Sequence, residues 1–274
     1  MPAPVLRFEN SAEYERFMGR WTRAVARVFL NWLAVRPGAS WLDVGCGTGI
    51  LAETVLHLCA PLSVDALDLE PGQVAAAAHR VASTRAQFVV GDAQHLAYAS
   101  AAFDVVASAL FINFVADRTL AIAEMRRVTR SGGVIAAYVW DFAEELSPSG
   151  PLRKAMRRFG VNAPPVPGTE ASGLGALQSL FEGAGLDRIE TRTIDVCLTY
   201  ENFEDFWQAQ TPAYAPTTKA IAAMEPKDRV DLMRAVERSL PCGPGGSIEY
   251  CARANAIKAR VPGSNRGRGF LPPA

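Results

Sequence analysis

Three glycines at alternate positions, Gly45, Gly47 and Gly49, follow directly on a short β-favouring run, Ser40-Trp41-Leu42-Asp43-Val44. A turn without Cβ atoms can take positive φ and let a ligand approach its backbone. Residues 50–56 then read as the start of a helix whose unpaired N–H groups point back at the turn. Strand, glycine turn and helix together make a cradle for a nucleotide-type cofactor. The spacing is G-x-G-x-G, with Asp43 two residues ahead of the first glycine. The dinucleotide fingerprint is G-x-G-x-x-G, so the turn departs from it.

The same strand-and-helix rhythm continues down the chain. Strands are expected at 64–69, 86–90, 103–108 and 134–140, with helices at 71–81 and 118–128 between them. Pro71 suits the first turn of its helix, and Ser131-Gly132-Gly133 stops the later one. Strands alternating with helices on short loops predict a parallel sheet with right-handed crossovers. Upstream, residues 11–34 place Tyr14, Phe17, Met18, Trp21, Val25, Phe29 and Trp32 on one helical face, capped by Asn10 or Ser11 and divided at Gly19. Downstream the rhythm breaks. Residues 144–173 hold five prolines and four glycines around one basic helix, 152–159, and read as an insertion or lid. A helix at 174–184, a strand near 189–198, two or three helices in 201–240 and a strand at 247–257 complete the pattern.

Composition removes several function classes. Lys and Arg number 28 and Asp and Glu 28, so no net charge draws the chain to nucleic acid or an anionic membrane. No apolar run approaches the roughly 18 residues of a membrane span, and residues 1–13 lack an apolar signal core. The five cysteines are scattered without a C-x-x-C pair, which suggests neither a zinc site nor a disulfide framework. Reduced thiols in a cytoplasmic protein are expected.

In a doubly wound sheet, ligands bind beyond the carboxyl ends of the strands. The first strand ends in the glycine turn. The second ends in Asp68, which can accept from ribose hydroxyls, followed by Leu69, placed to cover an adenine face. The third ends in Asp92-Ala93, a carboxylate for an adenine amino group and an N–H for the ring.

This order resembles the class I S-adenosylmethionine (SAM) dependent methyltransferases over residues 41–140, and within them the type-11 group related to quinone biosynthesis. The matching pieces are L-D-V-G-C-G-T-G (42–49), A-L-D-L-E-P (66–71), G-D-A-Q-H-L (91–96), F-D-V-V (103–106) and E-M-R-R-V-T-R-S-G-G (124–133). The N-terminal Y-E-R-F-M-G-R-W (14–21) also resembles a stretch that precedes the domain in some such enzymes. Ala97-Tyr98 stands where Pro-Phe is usual, and Ser131 where Pro is usual. The resemblance implies a Rossmann-like, doubly wound α/β fold with a seven-stranded, mostly parallel sheet, the last strand antiparallel. One domain is expected over 1–261, with its core at 39–140, 174–200 and 246–258, cap elements at 11–34, 144–173 and 201–240, and a flexible tail at 262–274. It further implies that Asp43 with the turn residues Gly45, Cys46, Gly47 and Gly49 holds the methionine portion of SAM. Tyr14 and Arg20 would close over the methionine carboxylate, Asp68 would take the ribose, and Leu69, Asp92 and Ala93 the adenine. Ser108 at the end of the fourth strand joins that cofactor set.

Methyl transfer from a sulfonium is an in-line displacement in which the protein supplies alignment and water exclusion. No residue announces itself as a base. His95, near the pocket mouth, and Asn113, with Phe111 on the acceptor side, are the catalytic candidates, and no metal site is expected. Arg153, Lys154, Arg157 and Arg158 read as a solvated helix face. The acceptor is expected to be a largely apolar small molecule beneath Phe17, Trp21, Phe203, Phe206, Trp207 and Tyr214. Two rival functions remain: a protein that holds SAM or S-adenosylhomocysteine without catalysis, and a nicotinamide-dependent oxidoreductase, against which the glycine spacing argues.

Overall fold

A computed structural model describes residues 15–161, 163–213 and 215–263. Its centre is one seven-stranded sheet in the order β3-β2-β1-β4-β5-β7-β6. The strands are β1 (Ser40–Val44), β2 (Ser63–Asp68), β3 (Ala86–Val90), β4 (Phe103–Ala109), β5 (Thr129–Trp140), β6 (Asp187–Tyr200) and β7 (Ile248–Arg260). Strands β1 to β5 pair in parallel, and β7 runs antiparallel between β5 and β6. All five residues of β1 are buried, which is why the strand reads as a continuous run rather than an alternation. The order reverses between β1 and β4, and that switch point opens a crevice at the end carrying the glycine turn.

Helices cover both faces: α1 (Arg20–Leu33), α2 (Ile50–Leu58), α3 (Pro71–Arg80), α4 (Arg118–Val128), α5 (Gly150–Arg158), α6 (Leu174–Gly183), α7 (Phe203–Gln210), α8 (Pro216–Ala222) and α9 (Pro226–Arg238). One core joins Trp21, Val25 and Phe29 of α1 to Trp41, Val105, Ala136, Tyr138 and Trp140 of the sheet. The opposite core joins Ile122 and Met125 of α4 and Phe181 of α6 to Leu42, Val106 and Ile135. Alternation along each strand produces the two sets.

Several expectations are sharpened or corrected. Gly19 does not divide the N-terminal helix: a π-helical turn, Glu15–Gly19, runs directly into α1, and Gly19 itself is right-handed helical. Tyr14, Tyr214 and residues 264–274 lie outside the described residues. Strand β5 starts five residues early and takes in the Ser131-Gly132-Gly133 stop, with a register shift between Phe103 and Val105 of β4 absorbing the irregularity. The basic helix is not a detachable lid. Leu152 and Met156 of α5 are fully buried in the α1-side core, Arg157 is paired with Glu145, and Arg153 donates to the Pro164 carbonyl.

The expectation of five reduced thiols is also corrected. Antiparallel pairing sets Cys197 of β6 directly opposite Cys251 of β7, and the two form a disulfide. Sequence spacing missed it because the partners meet only through strand register. Among the described residues, the one grouping with metal-ligand spacing is Cys197, Glu249 and Cys251, and its two sulfurs are already joined to each other.

Candidate cofactor and acceptor site

The three turn glycines all sit in the left-handed region, with φ of 76° at Gly45, 51° at Gly47 and 82° at Gly49. A Cβ on Gly45 would lie 2.0 Å from the Phe111 ring, so packing as well as conformation requires glycine there. A Cβ on Gly47 would meet nothing within 4 Å, so that glycine faces open space. The amides of Gly45 and Cys46 both donate to the Leu67 carbonyl at 2.9 Å, which fastens the turn to the end of β2. Gly49 caps α2 and its carbonyl accepts from Glu53.

Asp68 completes this fastening. Its Oδ2 accepts the Gly47 amide at 2.9 Å and its Oδ1 the Glu70 amide at 3.0 Å. A carboxylate has about four lone-pair positions, so it retains acceptor capacity toward the crevice. Leu69 is exposed beside it and Ala93 is buried. Asp92 accepts the Gln94 amide at 2.8 Å, and that bond, with help from the Gln94 side chain and His95, holds its carboxyl below the usual range.

Asp43 is the anomaly. It is 3% exposed, and neither carboxylate oxygen has a well-formed hydrogen bond. Burial pushes its pKa up to about 7; the Asp68 charge adds to the rise, and the Ala52 amide opposes it from beyond good hydrogen-bond geometry. A buried, unpaired carboxylate beside a glycine cradle fits a cationic ligand group, and SAM carries an ammonium and a sulfonium. The Cys46 thiol is pushed well above its usual pKa by burial and by Asp43 and Asp68, which removes it as a nucleophile.

The other named residues are placed differently. Arg20 donates to the Thr199 carbonyl at 2.9 Å and lies 5.3 Å over the Tyr200 ring, so it engages β6 rather than the turn. Ala107 is the residue of β4 opposite Asp43, so Ser108 projects from the other face, fully buried and without a partner for Oγ. Asn113 is buried and donates to the Pro167 carbonyl at 3.1 Å, holding down the loop around Gly168. His95 is largely exposed and lies 3.5 Å from Asp92.

Of the expected acceptor-side aromatics, Trp21 and Phe206 are fully buried, whereas Phe17, Phe203 and Trp207 are half-buried. Sequence reasoning missed their partners Trp140, Tyr200 and Tyr250, which stand at strand ends next to the cap. Their position at those ends was the available signal.

A methyltransferase-domain family model matches residues 42–137. The chain is 36% identical over 113 residues to the malonyl-[acyl-carrier protein] O-methyltransferase of Serratia marcescens, a match covering 41% of this chain and 43% of that protein. It is 29% identical over 177 residues to the ubiquinone/menaquinone biosynthesis C-methyltransferase of Ralstonia pickettii, covering 57% of this chain and 71% of that one. Among solved structures, the phosphoethanolamine N-methyltransferase 2 of Haemonchus contortus, in complex with SAM, superposes with a TM-score of 0.58 at 16% identity, over 95% of this chain and 61% of that chain. That likeness is one of fold. Family match, relatives and sheet order agree on the central part of the chain: residues 42–137 form a type-11 methyltransferase domain.

Proposed function

We propose that this protein transfers a methyl group from SAM to a small, largely apolar acceptor and releases S-adenosylhomocysteine. The observation that carries this is Asp43: a buried carboxylate without a partner, set against three positive-φ glycines. In this proposal Asp43 and the backbone of Gly45 to Gly49 hold the methionine portion. Asp68 accepts from the ribose, and Leu69, Asp92 and Ala93 receive the adenine. Bound there, SAM supplies an electrophilic methyl group on a sulfonium. The chain's own task is alignment and dryness. Trp21, Phe206 and residues of α5 and α7–α9 share one apolar cluster, and in this proposal they form the acceptor side of the crevice. His95 is too exposed and Asn113 too occupied with the Pro167 carbonyl to be given a proton-transfer step.

Nucleic acid is not among the proposed partners, given the balanced charge. Among the described residues no helix is long and apolar enough to cross a membrane. A cytoplasmic setting belongs to the proposal, and in a reducing cytoplasm the exposed Cys197–Cys251 pair would stand as two thiols. The function is tested by incubating the protein with methyl-labelled SAM and a fractionated small-molecule extract. Label appearing in an organic-soluble product supports it. Label staying on SAM across all fractions, with SAM bound, makes the protein a non-catalytic binder.

A further inference from the structure

The loop between β3 and β4, residues 91–102, carries Asp92 and Ala93. It is fastened along its length to α4, which holds none of the residues assigned to the cofactor. The tie begins at Gln94. Its side-chain oxygen accepts the amide of Asp117, the N-cap of α4, at 3.0 Å. Its backbone amide donates to Asp92 Oδ1 at 2.8 Å, and its Nε2 lies 3.3 and 3.5 Å from the two Asp92 oxygens. Two turns along α4, Glu124 accepts the Leu96 amide at 2.9 Å. Arg127 grips Glu124 through Nε at 2.7 Å and Nη2 at 2.8 Å, and donates to the Leu96 and Tyr98 carbonyls, both at 2.8 Å. The amides of Ala101 and Ala102 then donate to the carbonyls of Arg127 and Val128 at 2.9 and 2.8 Å.

This fastening bears on what Asp92 and Ala93 can read. A carboxylate that turns freely accepts a hydrogen bond from many directions; one held in place selects a donor at one position. Gln94 touches both Asp92 oxygens and is itself held by α4. Oδ2 has only longer contacts, 3.5 Å to Gln94 Nε2 and 3.5 Å to His95 Nδ1, and so keeps room to accept from a ligand. Arg127 adds a planar fork that satisfies one carboxylate and two carbonyls together, which a lysine ammonium cannot reproduce. Adenine presents an amino donor and a ring-nitrogen acceptor on one edge. Hypoxanthine presents a carbonyl and a ring N–H at the same two positions. A fixed carboxylate beside a fixed amide N–H matches the first edge and opposes the second.

We propose that Gln94, Glu124 and Arg127 are positioning residues through which α4 sets the base selectivity of the cofactor site, holding Asp92 and Ala93 so that they take an aminopurine and refuse an oxopurine. This rests on the proposed function above. It extends that reading by naming residues that act on the base without touching it.

The test is a calorimetric titration of the full chain with S-adenosylhomocysteine and with S-inosylhomocysteine, which differs in the base alone. The wild type should prefer the adenine compound by at least about thirtyfold, because the oxopurine leaves Asp92 and the Ala93 amide facing groups of their own kind. Gln94→Leu removes the side-chain tie to Asp117 and to Asp92 and should reduce the preference to about fivefold or less. Gln94 is only partly buried, so this variant should keep its fold. Arg127→Lys keeps the charge but not the fork and should reduce the preference to about tenfold or less. A merely structural role would weaken both compounds by the same factor. A preference that stays at the wild-type level in either folded variant therefore overturns the proposal, as does equal binding of the two compounds by the wild type. Failure of the wild type to bind S-adenosylhomocysteine is a separate result, and it overturns the proposed function itself.

Discussion

The Asp68 carboxylate accepts the Gly47 amide at 2.9 Å across 21 residues of sequence, so the end of β2 fastens the glycine turn at the end of β1. One side chain thereby serves two tasks. It holds the cradle in shape, and it presents its remaining lone pairs to the crevice where a ribose is proposed to bind.

Asp68→Ala should therefore do more than remove a ligand contact. Charge-assisted hydrogen bonds are worth roughly 1.5–3 kcal/mol each, so SAM affinity should fall at least about tenfold. The melting temperature should also drop by a few degrees, because the Gly47 and Glu70 amides lose their acceptor. Asp68→Asn keeps one acceptor oxygen and should recover part of the stability. Calorimetry and thermal melts on the two variants separate the effects; unchanged SAM affinity in folded Asp68→Ala would take the residue out of the site.

Asp43 predicts a pH dependence. Its carboxyl titrates near 7 in the folded chain against an ordinary value of 3.8, so the folded state holds the extra proton between those values. This group's contribution to the stability of the unliganded protein is therefore greatest below about pH 4. It declines by a few kcal/mol as pH rises to 7. A cationic ligand favours the ionised form, so SAM binding should release a proton in that window. Affinity should weaken by up to about tenfold per pH unit below 7. Asp43→Asn should abolish that slope. Proton release is read by titrating in buffers of different ionisation enthalpy, and identical slopes in the two proteins would remove the carboxylate from the cationic contact.

The Cys197–Cys251 disulfide spans a sequence separation of 54 and encloses α7, α8 and α9. Closing a loop of that size stabilises a fold by roughly 2–4 kcal/mol. Reduction by a thiol should lower the melting temperature by several degrees, and Cys251→Ser should melt with the reduced wild type. Equal melting of oxidised and reduced protein would show that the bridge adds nothing to the cap's stability.

How much of this was legible in the sequence depended on how local each signal was. The glycine turn, Asp68 and Asp92 stand where strand ends put them, because a turn without Cβ atoms and a carboxylate three residues before a proline-led helix are local facts. The single antiparallel strand came with the family resemblance; the full strand order is seen in the fold. The cap was read less well. Proline and glycine content suggested a loose lid over 144–173, yet Leu152 and Met156 are core residues, since spacing within a nine-residue helix cannot show what will pack against it. Asn113 faced the acceptor on paper and ties down the Pro167 loop in the fold. Arg20, expected over the methionine, is drawn to Tyr200 and the Thr199 carbonyl, a contact 179 residues away that no periodicity encodes. The disulfide and the ring cluster are likewise products of β6–β7 register.

The most direct measurement is a calorimetric titration of the wild-type chain with SAM, S-adenosylhomocysteine and NADH, paired with thermal melts. Saturation at about 100 times the dissociation constant should stabilise the fold by roughly 2.7 kcal/mol, a rise of about 5–10 °C for a chain of this size. Both sulfur nucleosides should give that shift and NADH none. A shift with NADH and none with either sulfur nucleoside would contradict the assignment of the glycine turn and Asp43 as a SAM cradle.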